Sequence, residues 1–112
     1  MNKYTLIKED YIEIRGIKLY RIKALKSFSD IKKGDIGGYI EKKDNLNQTG
    51  DAWVSGDAKV FGDATVSGNA RVFGDAQVSG NAWVYGEARV YGNARVSENA
   101  HIYGYGQVFG DA

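Results

Sequence analysis

The chain has 112 residues, 15 Lys and Arg against 14 Asp and Glu, and a formal charge of +1, so it is sized for one small domain and lacks an overall field to draw in nucleic acid or an anionic membrane. With no Cys and one His, it has no disulfide, no thiolate metal site, no thiol nucleophile and no His cluster. The opening Met1-Asn2-Lys3-Tyr4 starts no apolar run of signal-peptide or membrane-span length, so the expected location is cytoplasmic, with membrane excluded and nucleic acid disfavoured as partners. Residues 1–37 are net basic. Ile12, Ile14, Ile17, Leu19 and Ile22 flank Arg15-Gly16, a spacing that predicts a β-hairpin, while Lys33-Gly34 and Gly37-Gly38 predict turns. This module is expected to cover the N-terminal end of the segment that follows, because the end of a stacked fold leaves strand edges unpaired.

From Gly50 the chain repeats every six residues as Gly-(Asp/Asn)-Ala-x-Val-(Ser/Phe/Tyr), in ten copies running to Phe109, and this part is net acidic. The large apolar slot holds Val54, Val60, Val66, Val72, Val78, Val84, Val90, Val96, Ile102 and Val108, with a small residue two positions earlier. Two-residue spacing puts both on one face of a strand, and x then points outward. Gly with Asp or Asn supplies a corner, since Gly accepts positive φ and Asx side chains bond nearby backbone. The phase can be followed upstream through Asp44-Asn45-Leu46 and Gly38-Tyr39-Ile40, with Leu46 and Ile40 in the Ala slot, so the solenoid is expected to occupy 38–112. Its last residues, Gly110-Asp111-Ala112, carry no capping pattern: either the chain is a fragment or a partner covers the last coil.

These residues resemble the hexapeptide-repeat superfamily of left-handed parallel β-helices. The resemblance implies three hexapeptides per triangular coil, hence about four coils, a left-handed path and, most commonly, a side-by-side homotrimer; end-to-end pairing of bare coils is the competing geometry. The segment Ala24-Leu25-Lys26-Ser27-Phe28 and the run from Ile31 to Glu41 resemble the entry module of uncharacterised phage, prophage and bacterial hexapeptide-repeat proteins.

With 18 residues per coil, the outward positions stack in three columns: Trp53, Arg71, Arg89, Gln107; Glu41, Lys59, Gln77, Arg95; and Asn47, Thr65, Trp83, His101. Ser55, Phe73, Tyr91 and Phe109 stack at one corner, and Thr49, Ser67, Tyr85 and Tyr103 at another. The Trp53, Arg71, Arg89 face therefore lies between two aromatic corners. Arginine beside aromatic rings suits protein interfaces, phosphates or stacked bases, so the candidate binding residues are Trp53, Arg71, Arg89, Phe73, Tyr91, Tyr85, Tyr103 and Trp83. The competing reading is a ladder whose rings pack only on one another. Asp57 over Asp75 is a weak candidate pair for a cation, which turn chemistry explains equally well, and no metal site is assigned.

The expected function is that of a non-enzymatic binding or scaffold protein, of phage or prophage origin, whose Arg and aromatic face serves self-association and a protein partner or small anionic ligand. A counter-defence accessory role fits its size and its lack of catalytic groups. The alternative is a trimeric acyltransferase using acetyl-coenzyme A. The resemblance then implies His101 as general base, since superfamily enzymes use a His at the trimer interface; otherwise no catalytic residue and no cofactor are expected. No phosphate-binding loop, dinucleotide fingerprint, HExxH or nucleophile elbow occurs in the chain.

Overall fold

The computed structural model describes residues 2–110; Asp111 and Ala112, which the sequence reading placed at the bare end, lie outside the described residues. Strand β1 (Tyr4–Ile14) and strand β2 (Ile17–Ala24) form the expected antiparallel hairpin. Its two-residue turn has Arg15 at φ 51° and Gly16 at φ 84°, both left-handed, which matches the twist of the flanking strands. Strand β3 (Ile36–Ile40) lies antiparallel to β2 on one edge and parallel to the solenoid on the other. The hairpin thus continues a solenoid sheet.

Ten two-residue strands follow in three parallel stacks. One holds β4 (Trp53–Val54), β7 (Arg71–Val72), β10 (Arg89–Val90) and β13 (Gln107–Val108). The second continues from β3 through β5 (Lys59–Val60), β8 (Gln77–Val78) and β11 (Arg95–Val96), and the third joins β6 (Thr65–Val66), β9 (Trp83–Val84) and β12 (His101–Ile102). The fold is an all-β solenoid of about four turns, and among the described residues no helix is long and apolar enough to cross a membrane. Its interior is the predicted pair of slots: every Ala from Ala52 to Ala94 and every Val from Val54 to Val96 is buried. Burial of each Val is worth roughly 1.5–3 kcal/mol. Between coils the backbone pairs rung to rung, as where the Arg71 N–H donates to the Ala88 carbonyl at 3.0 Å and the Phe73 N–H to the Val90 carbonyl at 2.9 Å.

The first coil departs from the expected phase. Ile40 pairs with Val60 and Leu46 with Val66, so both stand in the Val slot, and the coil is 20 residues long. Packing decides this register, because Ile40 and Leu46 are fully buried and fill a Val-sized position, while Gly38 takes the Ala position. There a Cβ would stand 2.7 Å from the Ala58 carbonyl and 2.8 Å from Val54 Cγ1. Consequently Tyr39, not Glu41, stacks on Lys59. The two extra residues fall in the segment carrying Gln48, whose Oε1 accepts the N–H groups of Lys3 at 2.7 Å and Tyr4 at 3.2 Å. Buried Asn45 plugs the preceding corner, its Oδ1 accepting from the N–H groups of Glu41 and Lys42 and its Nδ2 donating to the Gly62 and Ala64 carbonyls.

The chain from Lys3 to Asp35 closes over the first coil. Tyr4 and Phe28 meet the Trp53 ring edge-on, at 6.4 and 5.4 Å, and the Tyr4 hydroxyl donates to the Lys43 carbonyl at 2.9 Å. Arg21 stacks 4.3 Å over Tyr39 and donates to the Gly37 carbonyl at 3.0 Å, the Gly56 carbonyl at 2.9 Å and Asp57 Oδ1 at 3.0 Å. Tyr4, Ile22, Ala24 and Ile31 belong to the same core cluster as the solenoid valines.

Candidate functional site

The stack of β4, β7, β10 and β13 presents the face singled out from sequence, with one substantial change. Trp53 is only 2% exposed, because Tyr4 and Phe28 cover it. The expectation that Trp53 is a binding residue is therefore corrected: its side chain leaves the sheet on the outer side, as the alternation requires, but the N-terminal segment folds across that side and turns it into core. Arg71, the next residue in the column, is half-buried and donates to Asp30 Oδ1 at 2.7 Å. That guanidinium holds the Asp30 carboxyl below the usual carboxylate range. Ser29, beside it, has φ 49°, a left-handed conformation uncommon for a residue with a side chain. Arg89 is exposed, and its guanidinium has no hydrogen-bond or ion-pair partner among the described residues.

A groove of about 560 Å³ runs between the 29–30 segment and this face. Arg71, Arg89 and Phe73 line it together with three carboxylates, Asp30, Asp51 and Glu87. Two ring stacks flank the arginine column. Phe73 and Tyr91 are 5.0 Å apart with planes 3° from parallel, and Tyr91 and Phe109 are 5.3 Å apart at 11°. The Tyr91 hydroxyl also bonds Gln107 Oε1 at 3.1 Å. At the opposite corner Tyr85 stacks on Tyr103 at 5.5 Å. Trp83, on the adjoining stack, is half exposed and meets Tyr85 edge-on at 6.0 Å, so it extends this second aromatic strip around the corner.

His101 lies one rung from Trp83, 5.6 Å from its ring and 6.4 Å from Tyr85. Its imidazole makes no hydrogen bond to a side chain or carbonyl among the described residues. Asp57 of the weak cation pair accepts from Arg21 at 3.0 Å, so this carboxylate is paired with a guanidinium. No cluster of three His, Asp or Glu capable of holding a metal occurs among the described residues.

Sequence reasoning missed three participants. Asp30 clasps Arg71 from 41 residues away, and nothing in the local pattern of a Ser-Phe-Ser-Asp loop announces that contact. Tyr105, at 85% exposure the barest large ring, sits in the Asp/Asn slot of the repeat, and that break in the pattern was its available signal. Lys3 is fully buried, with Nζ donating to the Ala52 carbonyl at 2.7 Å and the Gly50 carbonyl at 3.3 Å and lying 5.0 Å from the Phe28 ring centre. Burial lowers its pKa to about 8, against an opposing pull from Asp51.

A family model described as a YdcK beta solenoid repeat matches residues 88–104, the part of the chain holding Arg89, Tyr91, His101 and Tyr103. No curated protein matches the chain. Over residues 88–104 the chain is similar to that β-solenoid repeat, in agreement with the parallel stacks described above.

Proposed function

We propose that this chain is a non-enzymatic binding or scaffold protein whose working surface is the Arg89 face and its flanking aromatic strips. The observation that carries the reading is the unpaired Arg89 guanidinium, held between the Phe73–Tyr91–Phe109 stack and the Tyr85–Tyr103 pair on a parallel sheet. Arginine and exposed aromatics are enriched in protein–protein contacts: the rings bury large area at little cost in side-chain entropy, and the planar guanidinium stacks on them while bonding carboxylates in a fixed fork. The groove's mixture of two guanidiniums and three carboxylates suits the alternating charges of a protein surface better than a small anion. Self-association side by side, as the trimer that the hexapeptide-repeat resemblance implies, uses the same face. The resemblance of residues 24–41 supports a phage or prophage accessory role.

Native mass spectrometry of the protein as purified, beside Arg89→Glu combined with Tyr91→Ser, tests this. An oligomer or retained protein partner in the wild type, lost in the double variant with the strand signal in circular dichroism unchanged, is the expected result. Retention of the same assembly in the variant would sink the face.

A further inference from the structure

A second groove, of about 390 Å³, lies between the turn of the hairpin and the stack of β5, β8 and β11. It is lined by Ile14 and Arg15 from the hairpin and by Phe61, Gln77, Ser79, Arg95 and Ser97 from the solenoid. Its chemistry is the opposite of the Arg89 groove, since it has two guanidiniums and no carboxylate. Arg21 and Arg71 are each bonded to an aspartate, whereas Arg15 and Arg95 have no carboxylate partner among the described residues. Two like charges brought to one groove repel each other, and an anion between them removes that repulsion.

Separate parts of the fold create the convergence. Arg15 stands at φ 51° in a two-residue turn, where the left-handed backbone favours Gly or Asn. Arg95 and Gln77 are adjacent outward residues on paired rungs, and Ser79 and Ser97 follow them around the same corner. Guanidinium forks match the oxygens of a phosphate, and serine hydroxyls and the glutamine amide add neutral donors. Ile14 and Phe61 supply an apolar wall that inorganic phosphate has no use for, and the volume falls within the roughly 300–1,000 Å³ of small-molecule sites.

We propose that this groove binds a small organic phosphomonoester, with Arg15 and Arg95 on the phosphate, Ser79 and Ser97 as hydroxyl donors, and Phe61 and Ile14 against the organic part. The site is on a different sheet from the Arg89 face, so each can fail without the other.

Isothermal titration of the full chain at low salt with adenosine monophosphate, glucose 6-phosphate, inorganic phosphate and adenosine tests the assignment. At least one of the two phosphomonoesters is expected to bind with a Kd below about 1 mM, more tightly than inorganic phosphate or adenosine. Arg95→Ala and Arg15→Ala are each expected to weaken it by about tenfold or more, since each removes a charge-assisted pair, with melting unchanged because both side chains are exposed. No saturable binding of either phosphomonoester, affinity for inorganic phosphate equal to theirs, or binding indifferent to both substitutions would overturn the proposal.

Discussion

Lys3 is an ammonium enclosed by the fold, with two carbonyls and an aromatic face for company and no carboxylate in contact among the described residues. Burial disfavours its charged form and brings its pKa from 10.5 to about 8, while Asp51 opposes the shift and Arg71 and Lys26 add to it. Between pH 8 and 10.5 the unfolded chain holds this proton and the folded chain has released it, so this group's contribution to stability rises with pH through that window. Below pH 8 both states are charged and the cost of burying the ammonium is felt in full. Lys3→Met keeps the apolar stem and removes the charge. The excess stability of Lys3→Met over wild type should therefore be largest near pH 7 and shrink steadily toward pH 10.5, measured by urea unfolding across that range. A difference independent of pH would show that the ammonium is solvated. Nothing in Met1-Asn2-Lys3-Tyr4 signals this burial, because a lysine beside a chain start reads as solvated.

The element that most changes the reading of the surface is the N-terminal hairpin with its following loop. Alternation correctly sends the side chains of Trp53, Arg71 and Arg89 outward from their strands, and the repeat alone fixed that much. Which outward residues meet solvent depends on where the 25–35 loop lies, and that follows from the long-range contacts of Phe28 with Trp53 and Asp30 with Arg71. Six-residue periodicity cannot carry such information, because the loop has no partner in the repeat. The same limit explains the first-coil register: Ile40 and Leu46 keep a six-residue spacing from each other and fit either slot by sequence, and only the size of the cavity they fill separates Val from Ala positions. If Trp53 is core, Trp53→Ala should cost about 3–5 kcal/mol, the range for emptying a large aromatic site. Urea unfolding measures it, and a loss under about 1 kcal/mol, the range of a surface substitution, would return Trp53 to the surface.

At the scale of the whole molecule, a solenoid's stability is close to a sum of rung terms and nearest-neighbour interfaces, so it need not be uniform along the stack. Here the gradient is visible in burial. Val60, Val66, Val72, Val78, Val84 and Val90 are fully enclosed, Val96 is 4% exposed, and Ile102 and Val108 are only partly buried. The first coils also gain the hairpin, the Arg21 stitch to Gly37, Gly56 and Asp57, and the Trp53 cluster. Farther along, Glu98 occupies the corner position that glycine holds elsewhere, at φ 57°, a conformation that costs a residue with a Cβ about 1–2 kcal/mol. Its backbone N lies 2.6 Å from where a Cβ on Gly80 would stand, so that corner is also tightly stacked. Amide hydrogen exchange should therefore be polarised. The N–H groups of Lys59 and Thr65, which donate to Ala76 and Ala82, should exchange only by global opening, whereas those of Trp83 and Arg89, which donate to Ala100 and Gly106 of the strained and thinly buried last coil, should exchange by local opening and tens of times faster or more. Uniform protection along the stack would mean that the four turns open as one unit. Preferential protection of Trp83 and Arg89 on raising protein concentration would place the association surface on that half of the solenoid, where the exposed rings of Trp83, Tyr103, Tyr105 and Phe109 are gathered.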